Sequence, residues 1–115
     1  MPRQMRDPLD REERLQHARE YLAALGLKHY RAVVFGSVAR GDFVAESDTD
    51  LLIISNDLPE PLRERLALLF GSIDKAPEIE PIGWRESEWE RRTRLGDHFI
   101  GVLEREGLEL DCSGR

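Results

Sequence analysis

The chain has one cysteine, Cys112, among its 115 residues, so it forms no internal disulfide, and a reducing cytoplasm is the expected setting. Lysine is almost missing: of 17 basic residues only Lys28 and Lys75 are not arginine. Asparagine occurs once, at Asn56. This scarcity of thermolabile side chains fits a hot-living source, and GC-rich coding would give the same arginine bias. Proline and glycine, at 6 and 9 residues, are too few and too scattered for a low-complexity or collagen-like chain. No apolar run approaches the ~18 residues needed to span a bilayer. Met1 to Asp10 lacks the apolar stretch of a secretory signal. Positive charge is also short. A net charge of -6 argues against non-specific binding of duplex DNA, which needs Lys and Arg to displace counterions. Metal ions, nucleotides carried with metals, or a basic protein partner remain compatible.

What is present describes a globular chain with a polar exterior, 40% hydrophobic and 35% charged. Its length fits one domain over 1–115, with 1–8 a flexible leader. A domain of this size buries roughly two-thirds of the surface of its unfolded chain, which supports a core without disulfides.

From Asp10 the residues Leu15, Ala18, Leu22 and Leu25 recur at helical spacing, and Gly26 reads as the cap. Arg31 to Gly36 reads as a strand buried on both faces, and so does Leu51 to Ile54. Asn56, Asp57 and Pro59 mark a turn. Leu62, Leu66, Leu69 and Phe70 give the apolar face of a second helix, stopped at Gly71. Glu78 to Gly83 reads as a third strand, with Ile79 on one face and Glu78 and Glu80 on the other. Pro81 points to a strand end. Ser87 with Glu90 resembles a capping box. Phe99, Ile100, Val102 and Leu103 suit a last helix, with apolar faces that would serve a dimer or a partner, and Leu108 to Leu110 a short final strand. The expected fold is α+β, an α/β sandwich in which a small mixed β-sheet is flanked by helices.

The chemistry concentrates between residues 34 and 52. A buried strand ends at Gly36, and Ser37 opens a short helical turn. Glycine lets the backbone approach a phosphate, and Ser37 adds a hydroxyl donor. The plainer reading is an ordinary strand-to-helix turn with a serine cap. Asp48 and Asp50 lie two apart, so on a strand they share a face. Two carboxylates so placed repel unless something positive lies between them, and magnesium, a hard cation, suits oxygen ligands shared with phosphates. The plainer reading is a charged turn leading into a strand.

Gly36-Ser37, then Ala39-Arg40-Gly41, then Ser47-Asp48-x-Asp50-Leu51 resembles the signature of the minimal nucleotidyltransferases, small members of the DNA polymerase beta-like superfamily. The resemblance covers about Leu25 to Trp84 in order of elements. It implies that Asp48 and Asp50 bind two magnesium ions, and that Gly36 and Ser37 hold the triphosphate of a nucleotide. Arg40 pairs with phosphate or with acidic neighbours, and Ser47 contacts the nucleotide or caps the turn before Asp48. It also implies a third carboxylate on a later strand. Glu80 is the candidate, although that position is usually Asp; Glu78 and Asp74 are nearby alternatives, and Glu80 itself would otherwise be a solvent-facing edge residue.

The implied reaction is transfer of a nucleoside monophosphate, AMP from ATP, to a hydroxyl. No second domain is visible to grip a large acceptor, so the acceptor is expected on a separate protein. By resemblance that partner is a HEPN-domain toxin. The alternative is a non-catalytic, antitoxin-like module that neutralises a partner by contact. Other residues carry structural expectations. His17, His29 and His98 lack metal-ligand spacing. Trp84 and Trp89 are expected as core or interface anchors. Arg91, Arg92 and Arg94 beside Glu86, Glu88 and Glu90 read as a salt-bridged helix face.

Overall fold

Four strands form one mixed sheet, and the computed structural model describes it within residues 8–71 and 78–110. The strands are β1 (Arg31–Phe35), β2 (Thr49–Ile54), β3 (Ile79–Trp84) and β4 (Leu108–Leu110), ordered β3-β2-β1-β4. β1 is antiparallel to β2 and β4, while β2 and β3 run parallel. The helices are α1 (Pro8–Leu25), α2 (Gly36–Arg40), α3 (Leu62–Phe70), α4 (Glu86–Leu95) and α5 (His98–Glu106). The expected mixed sheet flanked by helices is therefore present. Residues 1–7 of the expected leader, the alternative acid Asp74 and Cys112 lie outside the described residues, and Pro8 already belongs to α1.

Alternation along the central strands produces two apolar layers. Ala32, Val34, Leu51 and Ile53 face one side, where Leu15, Ala18, Tyr21 and Leu22 of α1 and Leu69 of α3 cover them. Val33, Leu52 and Ile54 face the other side, packed with Trp84 and with Ile100 and Leu103 of α5. Each fully buried Val, Leu or Ile contributes about 1.5–3 kcal/mol, so double-faced burial of β1 and β2 makes them the rigid centre of the fold. Tyr21 ties α1 to α3 by donating its hydroxyl to the Leu69 carbonyl, and burial pushes its proton affinity up. Trp84 lies in the core beside Trp89 and Phe99, with the Arg92 guanidinium 4.3 Å from its ring centre. Among the described residues no helix is long and apolar enough to cross a membrane.

Several local expectations are corrected. Of the apolar face expected on α3 only Leu69 is buried; Leu62, Leu66 and Phe70 are 63%, 44% and 45% exposed, and Arg65 is buried beside Leu69. Burial of Arg65 is tolerated because its fork is filled. It donates to the carbonyls of Pro59 at 2.9 Å, Glu60 at 3.0 Å and Gly83 at 3.1 Å, and to the Glu88 carboxylate at 2.8 Å. Among the described residues the exposed large apolar side chains thus lie mainly on α3, with Val44 before β2 and Leu95 at the end of α4, and none lies on the last helix itself. At the start of α4 the Glu88 carboxylate accepts from the Arg85 amide at 2.8 Å, and the expected box of Ser87 and Glu90 does not form, because the helix starts at Glu86 and so places Glu88 at its third position. The charged face of α4 does not pair with itself in the expected way: Glu88 reaches Arg65 on α3, and Arg92 bonds Asp97 at 2.8 Å. Pro81 sits opposite Leu51 within β3 rather than at its end, and an edge strand accepts it.

Candidate active site

The β2–β3 ladder sets Asp50 directly across from Glu80. Both side chains stand on the sheet face that α5 covers further along, the face of Leu52 and Ile82. Asp48 precedes β2 by one residue and is exposed. Its charge reaches both of the others. Glu80 takes up a proton more readily than an ordinary glutamate, through a hydrogen bond with Asp48 and then the charge of Asp48, with smaller effects from burial and Asp50. Asp50 is shifted in the same direction by burial and then by the charge of Asp48, and Arg40 works against the shift. The structure thus brings Asp48, Asp50 and Glu80 into one acidic group at the edge of the sheet.

Gly36 forms the wall behind it. Phe35 pairs with Asp50 across the β1–β2 ladder, so the chain turns into α2 beside the Asp50 side chain. Gly36 adopts a φ of 78°, and a β-carbon there would lie 2.3 Å from Asp50 Oδ2. Both facts require glycine. Ser37 opens the turn, and its carbonyl accepts from the Gly41 and Asp42 amides at 2.8 and 3.1 Å. Arg40 pairs with acidic neighbours, Asp42 at 3.2 Å and Glu106 at 3.3 Å, which pins α2 toward α5. Ser47 closes the loop before Asp48, its hydroxyl accepting from the Val44 amide at 3.0 Å. Glu78 is paired with His17 at 2.8 Å, away from the acidic group's hydrogen bond.

A strand–glycine turn–short helix followed by two aspartates at the start of the next strand is matched by a family model. The model describes a nucleotidyltransferase domain and matches residues 15–95. The chain belongs to this nucleotidyltransferase family. The match agrees with the resemblance carried by Gly36 to Leu51. No curated protein matches the sequence. A crystal structure from Sulfolobus solfataricus, provisionally described as that of a nucleotidyltransferase, shares the fold with a TM-score of 0.60 at 23% identity. The alignment covers 79% of this chain and 84% of that one.

Nucleotidyltransferase domains generally act on nucleoside triphosphates with a divalent metal. Among the described residues, no three His, Cys, Asp or Glu side chains form a ready-made metal cage. That is compatible with magnesium, which is held by one or two carboxylates together with substrate phosphates rather than by an all-protein shell. The donors fit in kind: hard oxygens, mutually repelling, with Asp48 and Glu80 exposed and Asp50 half-buried. A cation between them would relieve the repulsion that raises the proton affinity of Asp50 and Glu80.

Two further residues touch the site segment and were not singled out in the sequence. Arg14 donates to backbone and side-chain oxygens around Asp48, and Arg11 donates to the Ala39 carbonyl at the end of α2. Their signal was available: Arg11 and Arg14 extend the inward stripe of Ala18 and Leu22 at helical spacing. Basic residues continuing an apolar face point at something that accepts hydrogen bonds.

Proposed function

We propose that the chain transfers a nucleoside monophosphate, AMP from ATP, to a hydroxyl group. The observation that carries this reading is the acidic group of Asp48, Asp50 and Glu80 beside the cramped Gly36 turn. Gly36 and Ser37 would receive the triphosphate at the turn into α2, where the missing β-carbon of Gly36 makes room for the Asp50 carboxylate beside it. Two magnesium ions held by Asp48, Asp50 and Glu80 would offset phosphate charge and align the attacking and leaving oxygens. Asp50 and Glu80, on adjacent rigid strands, orient the donor set and hold it steady. Glu80, set across from Asp50 on the adjacent strand, would receive the proton of the attacking hydroxyl. Arg40 and Ser47 support the loop from their ion pairs and turn. The acceptor is proposed to lie on a partner protein of HEPN type, a tyrosine hydroxyl that adenylylation would silence.

Calorimetric titration of ATP, with and without magnesium, into wild type and an Asp48→Asn/Asp50→Asn variant tests the reading. Magnesium-dependent binding that vanishes in the variant is expected. Binding that persists undiminished in a folded variant would remove the assignment to these aspartates. No binding by wild type would turn the reading toward a module that acts by contact alone.

A further inference from the structure

Arg14 approaches the acidic group from the opposite face of the sheet. Thr49 alternates with Asp48 and Asp50, so its fully buried side chain points toward α1 while theirs point away. Arg14 Nη1 donates to the Ser47 carbonyl at 2.7 Å and to Thr49 Oγ1 at 3.1 Å. Nη2 donates to the carbonyls of Ala45 at 3.1 Å and Val44 at 3.3 Å. The guanidinium also stacks over the Phe43 ring, 5.2 Å from its centre. One side chain therefore grips the residues on both sides of Asp48 and the turn before them.

Two of these acceptors are sheltered. The Ser47 carbonyl and Thr49 Oγ1 meet Arg14 in a part-buried setting, while the carbonyls of Val44 and Ala45 are exposed and that of Val44 also accepts from the Ser47 amide at 3.0 Å. A backbone group drawn toward the protein without a hydrogen bond is costly, and a rigid fork of N–H donors satisfies several at once. A lysine in the same place offers one point charge at the end of a flexible stem and cannot span the set. Arg11, three residues earlier on α1, holds the Ala39 carbonyl, so the segment from α2 to β2 is fastened to α1 at both ends.

We propose that Arg14 is a positioning residue: it fixes the 44–49 loop from behind, so that Asp48 is presented beside Asp50 and Glu80. This rests on the nucleotidyl-transfer reading of those carboxylates. Arg14 touches no reacting atom. Its effect reaches the site only through the backbone on either side of Asp48. That route predicts a separable signature. Contacts to the nucleotide itself stay intact when Arg14 is changed, and the part of affinity that depends on magnesium falls.

The test uses the full chain with Arg14→Lys and Arg14→Ala, compared with wild type and Asp48→Asn. Titration with ATP alone and with magnesium–ATP gives the magnesium-dependent gain in affinity for each. Arg14→Lys is expected to melt well above the assay temperature, to bind ATP alone as wild type does, and to lose about tenfold of the magnesium-dependent gain. Hydrogen exchange in the same variant is expected to quicken at 44–49 and to stay unchanged in β1. Should Arg14→Ala fail to fold, the lysine variant decides. Two results overturn the proposal: an unchanged magnesium-dependent gain in Arg14→Lys, or an equal loss with and without magnesium, which marks a merely structural arginine. Both leave the assignment of the carboxylates standing, provided Asp48→Asn abolishes the gain. If Asp48→Asn leaves the gain intact, the underlying reading fails and this proposal falls with it.

Discussion

The Asp50 carboxylate occupies the space in which a side chain of residue 36 would stand, with Oδ2 2.3 Å from the position of a β-carbon on Gly36. The tight fit couples the glycine turn to the acid, so a side chain at residue 36 must displace Asp50. Gly36→Ala is expected to lower the melting temperature, since a non-glycine residue at φ 78° costs about 1–2 kcal/mol. It is also expected to push Asp50 aside and abolish magnesium-dependent ATP binding. Gly41→Ala is the control. Gly41 has a φ of 91° and nothing within 4 Å of its β-carbon position. It should destabilise by a similar amount, read from thermal melts, and keep nucleotide binding in calorimetry.

Arg65 joins α3 to the turn before it, to β3 and to α4. Arg65→Ala leaves three backbone carbonyls and the Glu88 carboxylate short of a donor. The expected loss is about 3 kcal/mol or more, seen as a fall in the denaturant midpoint. Replacing both partners, as Arg65→Met with Glu88→Gln, should recover part of it, because the uncompensated charge is then gone. A double variant no more stable than Arg65→Ala would show that the carbonyl contacts, not the ion pair, carry the effect.

Asp57 supplies a pH-dependent link between the end of α1 and the turn after β2. Its Oδ2 accepts from the His29 and Lys28 amides, both at 2.9 Å. Those two amides hold the Asp57 carboxyl below its ordinary value. A depressed folded-state pKa contributes stability above the unfolded value of about 3.9. That contribution is lost as pH falls through the lower folded value. Wild type should therefore exceed Asp57→Asn in urea midpoint at about pH 7, and the gap should close as pH falls below the ordinary aspartate range. A gap that is constant with pH would show that the charge of Asp57 adds nothing.

Much of this architecture was legible before any coordinates. Val33, Val34, Leu51 and Leu52 announced strands buried on both faces, and Asp48 and Asp50 announced a shared acidic face. Glu80 was reachable only through the family pattern, and the parallel pairing with Asp50 supplies the geometry that makes it a neighbour. What stayed hidden follows from bonds to backbone oxygen. Arg65 faces inward because carbonyls of Pro59, Glu60 and Gly83 receive it, and residue type alone does not encode their position. Leu62, Leu66 and Phe70 then keep a helical period while facing outward, so periodicity located the helix and misassigned its buried side. Arg14 differs, because its place on the inward stripe of α1 is legible and only the carbonyls it meets are not.

The opposition of Thr49 to Asp48 and Asp50 across a single layer of backbone separates two kinds of evolutionary freedom. If the proposed transfer holds, variation along α5 would alter the sheet face on which the acids stand, without disturbing the arginine clasp behind them. Variation along α1 alters how firmly the aspartate loop is held, without presenting a new group to the acceptor. A lineage can therefore change what it modifies and how fast it does so by mutations in different helices, and compensatory substitutions for a damaged loop are to be sought on α1, out of sight of the substrate.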